Sequence, residues 1–259
     1  MSTAAISLAI SSRDAVALRK AVDIATSEAV DVSASREVLR HLTEELRALP
    51  VEDNEFIVTA ASEVVERIRS SPRASALDAA DFLLRTLLWE SLSGEGEYER
   101  AATSLGGARA LREEAGGSTL ADESRAHAFV RITQSHLSAG KEESAADSIR
   151  RAGEIIEKEG VEISWKVQLM YKTCVARVLD SKRRFHEAAL RYAELARLPS
   201  DKVDESDLIV MLEKAVNCIL LAPFGASRQC VMASLMRDER ISLIDVRRYA
   251  RCRRVRVGR

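Results

Sequence analysis

The chain has 259 residues, of which 46% are hydrophobic and 31% are charged, and its formal net charge is -1. This length allows one large domain or two modest ones, and the near-neutral charge argues against a chain built to coat nucleic acid or an anionic membrane. No run of roughly 18 uncharged apolar residues occurs, so neither a transmembrane helix nor a membrane partner is expected. Strong helix formers dominate and aromatic residues make up only 4%, which predicts an all-α protein.

The N-terminal region is predicted to form a series of helices. Met1–Ile10 lacks a basic segment ahead of its apolar residues, so we expect a frayed or helical start and no secretion signal. Ser35 precedes an apolar pattern at helical spacing that Pro50 ends, and Asp53 opens a second one that Pro72 closes. Short turns between such helices predict antiparallel hairpins.

A motif of paired alanines followed by a larger apolar residue recurs in the middle of the chain. Its first alanines are Ala101, Ala145 and Ala188, with separations of 44 residues (101 to 145) and 43 residues (145 to 188). Each copy follows a turn predicted at Gly94–Gly96, Gly140 and Ser181–Lys182. These turns disfavour the alternative, coincidence in an alanine-rich chain. The near-constant period predicts a helical solenoid, in which the alanines let neighbouring helices approach closely.

The remaining breaks are marked by Gly and Pro. Gly116–Ser118 is predicted as a loop between the first two copies, and Pro199 ends the third copy. Either Asp204 or Ser206 is expected to cap a further helix, which Pro223–Gly225 breaks before one last helix.

Signals for a catalytic or metal site are missing from the sequence. Cys174, Cys218, Cys230 and Cys252 form no C-x-x-C pair, so we interpret them as buried or incidental thiols of a reducing compartment. The sequence contains no H-E-x-x-H motif, no phosphate-binding loop and no G-x-S-x-G elbow. We therefore expect a protein that is not an enzyme, with no cofactor, metal ion or catalytic residue.

A signature in the second half of the chain resembles a known family. It comprises Tyr171, Lys172, Cys174, Ala176, Arg177, Val178, Leu179, Asp180, Phe185, Glu187, Ala188, Ala189, Arg191, Tyr192, Glu194 and Leu195, followed by Asp238, Glu239 and Arg240. These residues are similar to the COP9 signalosome subunit 4 family of PCI-domain proteins. The likeness is strongest over residues 165–240 and weaker over 75–165.

The resemblance implies a fold and a function. The fold would be a right-handed α-α superhelix of TPR-like hairpins, the helical-repeat region of a PCI protein. The function would be that of a non-catalytic scaffold subunit of the COP9 signalosome, supporting recognition of neddylated cullin-RING ubiquitin ligases for deneddylation. The implied partners are the other PCI subunits, the metalloprotease pair and the cullin-RING ligase, in cytoplasm and nucleus.

The likeness stops after Arg240, where the family enters a winged helix. The segment Arg247–Arg259 has seven arginines and no acidic residue. We therefore predict an N-terminal helical arm over 1–74, a helical-repeat region over 75–240 and, over 241–259, an arginine-rich tail that is disordered or non-native, with the winged helix absent. Clustered arginines are also typical of nuclear import signals and nucleic-acid contacts.

Side chains within the signature are expected to have structural roles. Arg177 and Asp180 lie one helical turn apart, so they could pair, or Arg177 could reach an acid on an adjacent helix. Phe185 and Tyr192 share a helix face and are expected in the core.

Two other functions remain open at this point. One is a PCI subunit of the 26S proteasome lid, and the other is a free-standing TPR-like adaptor or nucleic-acid-binding protein that uses the arginine tail. Nucleic acid is otherwise not an expected partner.

Overall fold

The computed structural model describes residues 3–27, 29–112, 120–158, 160–199 and 201–244. Within these ranges there are twelve α-helices and four short 3₁₀ turns, and there is no β-strand. The predicted all-α helical-repeat fold is confirmed. The handedness of the superhelix and the absence of a winged helix stay predictions. The loop at Gly116–Ser118 and the tail Arg247–Arg259 lie outside the described residues.

The chain divides into two compact units, one up to Ile163 and one from Ser164. The helices of the first unit are α1 (Thr3–Ser11), α2 (Ala15–Ala25), α3 (Val32–Arg47), α4 (Asn54–Ser70), α5 (Asp78–Gly94), α6 (Tyr98–Gly106), α7 (Asp122–Ser138) and α8 (Glu142–Ile156). Those of the second unit are α9 (Trp165–Ser181), α10 (Phe185–Ala196), α11 (Glu205–Leu221) and α12 (Ala226–Leu235). The predicted boundaries after residues 74 and 240 stay predictions.

The start of α3 differs from the prediction. Asp31 caps this helix, and its carboxylate accepts a hydrogen bond of 3.0 Å from the Ser33 backbone N–H. Ser35 lies one turn inside the helix, where its hydroxyl is buried and donates to the Ala25 carbonyl oxygen at 2.6 Å. Ser35 therefore ties α3 to α2, whereas the sequence suggested a cap because serine is a preferred residue there.

The cap residue of α4 was predicted correctly, although its side chain does not act as a cap. Asp53 precedes the helix, but its carboxylate makes no hydrogen bond to the first helical N–H groups. Instead it accepts from Arg13, with Nε of the arginine 2.9 Å from Oδ1. The carboxylate thus links the α1–α2 turn to the start of α4.

The repeat alanines lie where the period predicted them. Ala101, Ala145 and Ala188 are completely buried, and they lie on α6, α8 and α10 respectively. Each backbone N–H donates to the carbonyl oxygen of the residue just before its helix, at 2.9, 3.0 and 3.0 Å. The larger apolar residues one turn later, Leu105, Ile149 and Tyr192, are buried as well. The α6 helix ends at Gly106, and Ala108, which lies just beyond it, is also completely buried.

The turns before these three helices share one hydrogen-bond pattern. The N–H groups of Glu97, Lys141 and Arg184 donate to carbonyl oxygens five residues earlier, at 2.9, 2.8 and 2.9 Å. This is the long bond of a Schellman motif, which needs a residue with positive φ just before the donor. That residue is Gly96 (φ 82°), Gly140 (φ 71°) or Arg183 (φ 57°).

The turn between α1 and α2 repeats the same pattern. The Asp14 N–H donates to the Ala9 carbonyl oxygen at 2.9 Å, and Arg13 has a φ of 52°. In two of these four turns the left-handed position is therefore occupied by arginine, which adopts this conformation less readily than glycine does.

No helix among the described residues combines the length and the hydropathy needed to cross a bilayer.

Candidate functional site

The structure places the whole family signature in the second unit. The residues between Tyr171 and Asp180 lie on α9, those between Phe185 and Leu195 lie on α10, and Asp238–Arg240 follows α12. Seven of them are buried: Cys174, Ala176, Val178, Ala188, Ala189, Tyr192 and Leu195. The exposed members are Lys172, Glu187, Arg191, Glu194 and Glu239, and the others are half-buried. The buried signature residues therefore serve mainly the packing of α9 and α10 with α11.

Tyr192 is the largest completely buried side chain of the second unit. Burial raises the pKa of its hydroxyl well above the usual value. The hydroxyl oxygen has no hydrogen-bond partner among the described residues, which typically costs about 1–3 kcal/mol. Lys214 of α11 lies over the ring, with its Nζ 5.7 Å from the ring centroid. Tyr192 is thus a packing residue, as expected, and its polar atom is not used for binding within the unit.

Asp180 has a different partner from the one considered in the sequence. Within the described part of the chain no ion pair joins Arg177 to Asp180; the carboxylate instead acts on the thiol of Cys218 on α11. Burial, together with this carboxylate, raises the pKa of the Cys218 thiol to about 12, so it stays protonated and unreactive at neutral pH.

The expectation of a buried Phe185 was only half correct. Phe185 is the first residue of α10, and its ring packs against the core of the second unit while remaining partly exposed. Since the ring keeps some contact with water, truncation to alanine should cost less than the roughly 3–5 kcal/mol of a fully buried phenylalanine.

The Asp238–Arg240 element forms a clasp on the end of α10. The Asp238 carboxylate accepts from the Arg240 backbone N–H at 3.1 Å and from Nε and Nη2 of its guanidinium at 2.9 and 2.7 Å. The same Nη2 donates to the Ala196 carbonyl oxygen at 2.8 Å. These bonds from Arg240 hold the pKa of Asp238 below its usual value. The clasp satisfies a carbonyl at a helix C-terminus, where four lack intrahelical partners.

Arginine performs the same task at two more helix ends. In the second unit, Arg228 of α12 donates from Nε and Nη2 to the carbonyl oxygens of Ile219 and Leu220, at 2.8 and 3.0 Å. In the first unit, Arg85 of α5 donates from Nη1 to the Ser104 carbonyl oxygen near the end of α6, at 2.8 Å. Sequence reasoning missed both contacts, because an arginine on one helix carries no signal of which distant carbonyl it will reach.

The second unit offers a groove, and the described residues hold no candidate metal site. They contain no group of three or more His, Cys, Asp or Glu side chains that could hold a metal ion. The second unit has a shallow groove of about 210 Å³ between α10, α11 and α12, lined by residues that include Ala193, Leu212 and Leu235. The contacts described above for the signature residues are those of packing and helix capping.

These features define the class: the chain is an all-α helical-repeat protein whose signature residues hold stacked hairpins together. No family model matches the chain. It is 28% identical to COP9 signalosome complex subunit 4 of Arabidopsis thaliana over 246 residues, which cover 93% of this chain and 59% of that protein. The same subunit of Drosophila melanogaster is 30% identical over 223 residues, covering 86% of this chain and 52% of the relative. The subunit of Caenorhabditis elegans is 29% identical over 237 residues, which cover 88% of this chain and 54% of that protein.

The chain is thus a relative of COP9 signalosome subunit 4 along most of its own length, and the resemblance inferred from the signature is confirmed. It spans a little over half the length of the curated relatives that it matches.

Proposed function

We propose that the chain acts as a non-catalytic scaffold subunit of a COP9 signalosome. The observation that carries the proposal is the joint occurrence of two features. The chain is similar to subunit 4 of this complex over at least 86% of its length in three relatives, and the signature residues contribute packing and helix capping.

A scaffold role agrees with the physical character of the second unit. Stacked helix hairpins keep a fixed geometry, because each helix buries one face against its neighbour and presents the other to solvent. The α10 helix shows this division clearly: Ala188 and Ala189 are buried, while Glu187 and Arg191 are exposed. Such a surface suits binding of other subunits.

The finer parts of the proposal rest on the family resemblance. The partners would be the other PCI subunits, the metalloprotease pair and the cullin-RING ligase whose Nedd8 the complex removes. The chain would support assembly and recognition, and cleavage would belong to the metalloprotease pair. The expected locations are cytoplasm and nucleus, and neither a membrane nor nucleic acid is an expected partner.

Reconstitution with the other signalosome subunits tests the proposal. The full chain is mixed with them and the products are analysed by native mass spectrometry, with one copy per complex expected. Two variants form a matched pair, because Ala189→Glu and Arg191→Glu each place a carboxylate on α10, one in the core and one in solvent. The first should lose assembly together with its folded second unit. The second should keep the folded unit, so a loss of assembly by this variant would place a partner on the exposed face of α10 without a loss of folding.

Three outcomes would contradict the proposal. The folded parent chain could stay outside the signalosome complex when all partners are present. It could enter the proteasome lid instead, which would support the alternative subunit. The purified chain alone could cleave Nedd8 from a cullin, which would exclude a non-catalytic role.

A further inference from the structure

Four helix ends of the second unit lie together on one side of it. Short links join α9 to α10 and α11 to α12, so the C-termini of α9 and α11 lie beside the N-termini of α10 and α12. Two contacts fix this arrangement. Nε2 of His186, at the start of α10, is 2.6 Å from the Ser227 hydroxyl oxygen at the start of α12. Arg228 bonds the last carbonyls of α11.

We call this surface the basic end and define it by Lys182, Arg183, Arg184, Leu221, Phe224 and Arg228. The three consecutive cations form the α9–α10 turn. The acidic groups nearest to them in the chain already have partners. Glu187 accepts from Arg184, with Nε of the arginine 2.8 Å from Oε1. The Asp180 carboxylate acts on the Cys218 thiol of α11 and raises its pKa. Arg183 is exposed and has no ion-pair partner among the described residues.

The backbone of Arg183 makes this exposed cation unusual. It has a φ of 57° at the position that glycine occupies in the equivalent turns before α6 and α8. A side chain in this conformation costs free energy that glycine avoids. Arg13 occupies the same position in the α1–α2 turn, but its guanidinium gains an ion pair with Asp53. Arg183 has the same backbone cost without such a contact within the described part of the chain.

Two large apolar side chains lie at the same end. Phe224 is 89% exposed and Leu221 is 63% exposed, although burial of such large apolar side chains is favourable in free energy. The Arg228 guanidinium lies 4.2 Å from the centroid of the Phe224 ring, and its N–H donors are fixed on the α11 carbonyls. The ring therefore stands beside a positioned cation at the surface. Aromatic and arginine side chains are the residues most enriched where protein interfaces concentrate their binding energy.

We propose that the basic end is a docking surface for an acidic segment of a partner protein that also carries an apolar side chain. A carboxylate of that segment binds the Arg183 guanidinium, and the apolar side chain packs on Phe224 and Leu221. The exposed leucine favours a protein over a nucleic acid, because an aliphatic side chain offers a base neither a stacking plane nor a hydrogen bond. This inference does not depend on the identity of the complex that the chain joins.

Fluorescence anisotropy with a short labelled peptide of alternating glutamate and leucine tests the proposal. The full chain should bind this peptide, and the affinity should fall as salt is raised. Arg183→Gly and Phe224→Ala should each weaken binding by about threefold to tenfold. Arg183→Gly should also raise the urea midpoint or leave it unchanged, because glycine relieves the left-handed backbone. A loss of binding without a loss of stability separates docking from folding.

Three controls make the result decisive. Arg13→Gly changes the equivalent turn of the first unit and should leave peptide affinity unchanged. A peptide with glutamine in place of glutamate should bind at least about threefold more weakly. Oligothymidine should not displace the acidic peptide. The proposal is wrong if the glutamine peptide binds as well as the acidic one, if both basic-end variants bind like the parent, or if oligothymidine competes fully.

Discussion

Two arginine clasps, one in each unit, use the same contacts in different surroundings. Arg85 bonds the Ser104 carbonyl oxygen and is held by Asp81, and Arg240 bonds the Ala196 carbonyl oxygen and is held by Asp238. The side chains of Arg85 and Asp81 are 11% and 8% exposed, whereas those of Arg240 and Asp238 are 24% and 23% exposed.

The pKa values of the two carboxylates are shifted in opposite directions, because Asp81 is more deeply buried than Asp238. Burial raises the pKa of Asp81 even though Arg85 opposes the shift, while the bonds from Arg240 lower the pKa of Asp238. In the buried clasp the cost of removing the carboxylate from water outweighs the attraction of Arg85, whereas in the half-buried clasp the bonds from Arg240 outweigh that cost. Loss of one partner should therefore lower the free energy of unfolding more in the buried clasp than in the half-buried one, although the hydrogen bonds are equivalent.

The largest expected effect is removal of the carboxylate from the buried clasp. Asp81→Ala leaves the Arg85 guanidinium buried without its counter-ion, which should lower the free energy of unfolding by about 3–5 kcal/mol. Asp238→Ala is the matched change in the other unit and should cost about 1 kcal/mol, because water can replace the carboxylate there. Urea unfolding measures both. Equal losses would show that burial does not distinguish the clasps.

A second change tests how tightly the buried clasp is packed. A methyl group added at Gly107 would lie 2.7 Å from Nη1 of Arg85, which is fixed by its bond to Ser104. Gly107→Ala should therefore lower the free energy of unfolding by about 1–3 kcal/mol. Gly106→Ala is the control, since its nearest neighbour is 3.8 Å away, and it should be neutral or slightly stabilising. Two equal results in thermal melts would mean that Arg85 moves aside freely.

The pH dependence of stability should differ in sign between the two carboxylates. The folded pKa of Asp238 is lowered, so its contribution is present above the unfolded pKa of about 3.9 and is lost as pH falls through the folded value. The folded pKa of Asp81 is raised, so ionisation of Asp81 reduces stability as pH rises from the unfolded to the folded value.

Urea unfolding in acid measures this difference. Asp238→Asn should flatten the fall in stability between about pH 5 and pH 2. Glu52→Gln is the control, since it removes an exposed carboxylate of the first unit that makes no ion pair among the described residues and leaves the clasp intact. An unchanged acid limb in Asp238→Asn would exclude the clasp as a source of the pH dependence.

The smallest expected effect concerns the shared turn. Gly96→Ala places a β-carbon at a φ of 82° and should cost about 1 kcal/mol. Gly94→Ala, two residues earlier at the end of α5, should cost nothing or stabilise slightly, because its surroundings are open and its φ is not positive. Chemical denaturation of both variants measures the difference, and a cost at Gly94 equal to that at Gly96 would argue against the left-handed turn.

The sequence was informative wherever a residue type had one dominant structural use. The alanines at 101, 145 and 188 were predicted in the core because small residues that recur at a constant period are typical of close contacts between stacked helices. Asp53 was predicted correctly at a helix start, but Ser35 was not, because a serine inside a helix can bond a distant carbonyl as easily as it caps.

The clasps, and the left-handed arginines in two of the four turns, could not be predicted in this way. Arg85 and Arg240 reach carbonyls 19 and 44 residues away, and those contacts depend on helix packing that no local pattern encodes. Arg13 and Arg183 occupy left-handed positions that only glycine signals reliably. The signature residues were located through family resemblance, and the structure supplied their physical roles.

The shared turn limits where the chain can change in length. Glu97, Lys141 and Arg184 each close the Schellman motif of one helix with their N–H and accept the first hydrogen bond of the next helix with their carbonyl oxygen. One residue added or deleted at such a turn would disturb both helices at once. It would also rotate the paired alanines away from the neighbouring helix against which they pack. Insertions during evolution or engineering are therefore expected between hairpins, and the hairpins themselves should behave as units of fixed size.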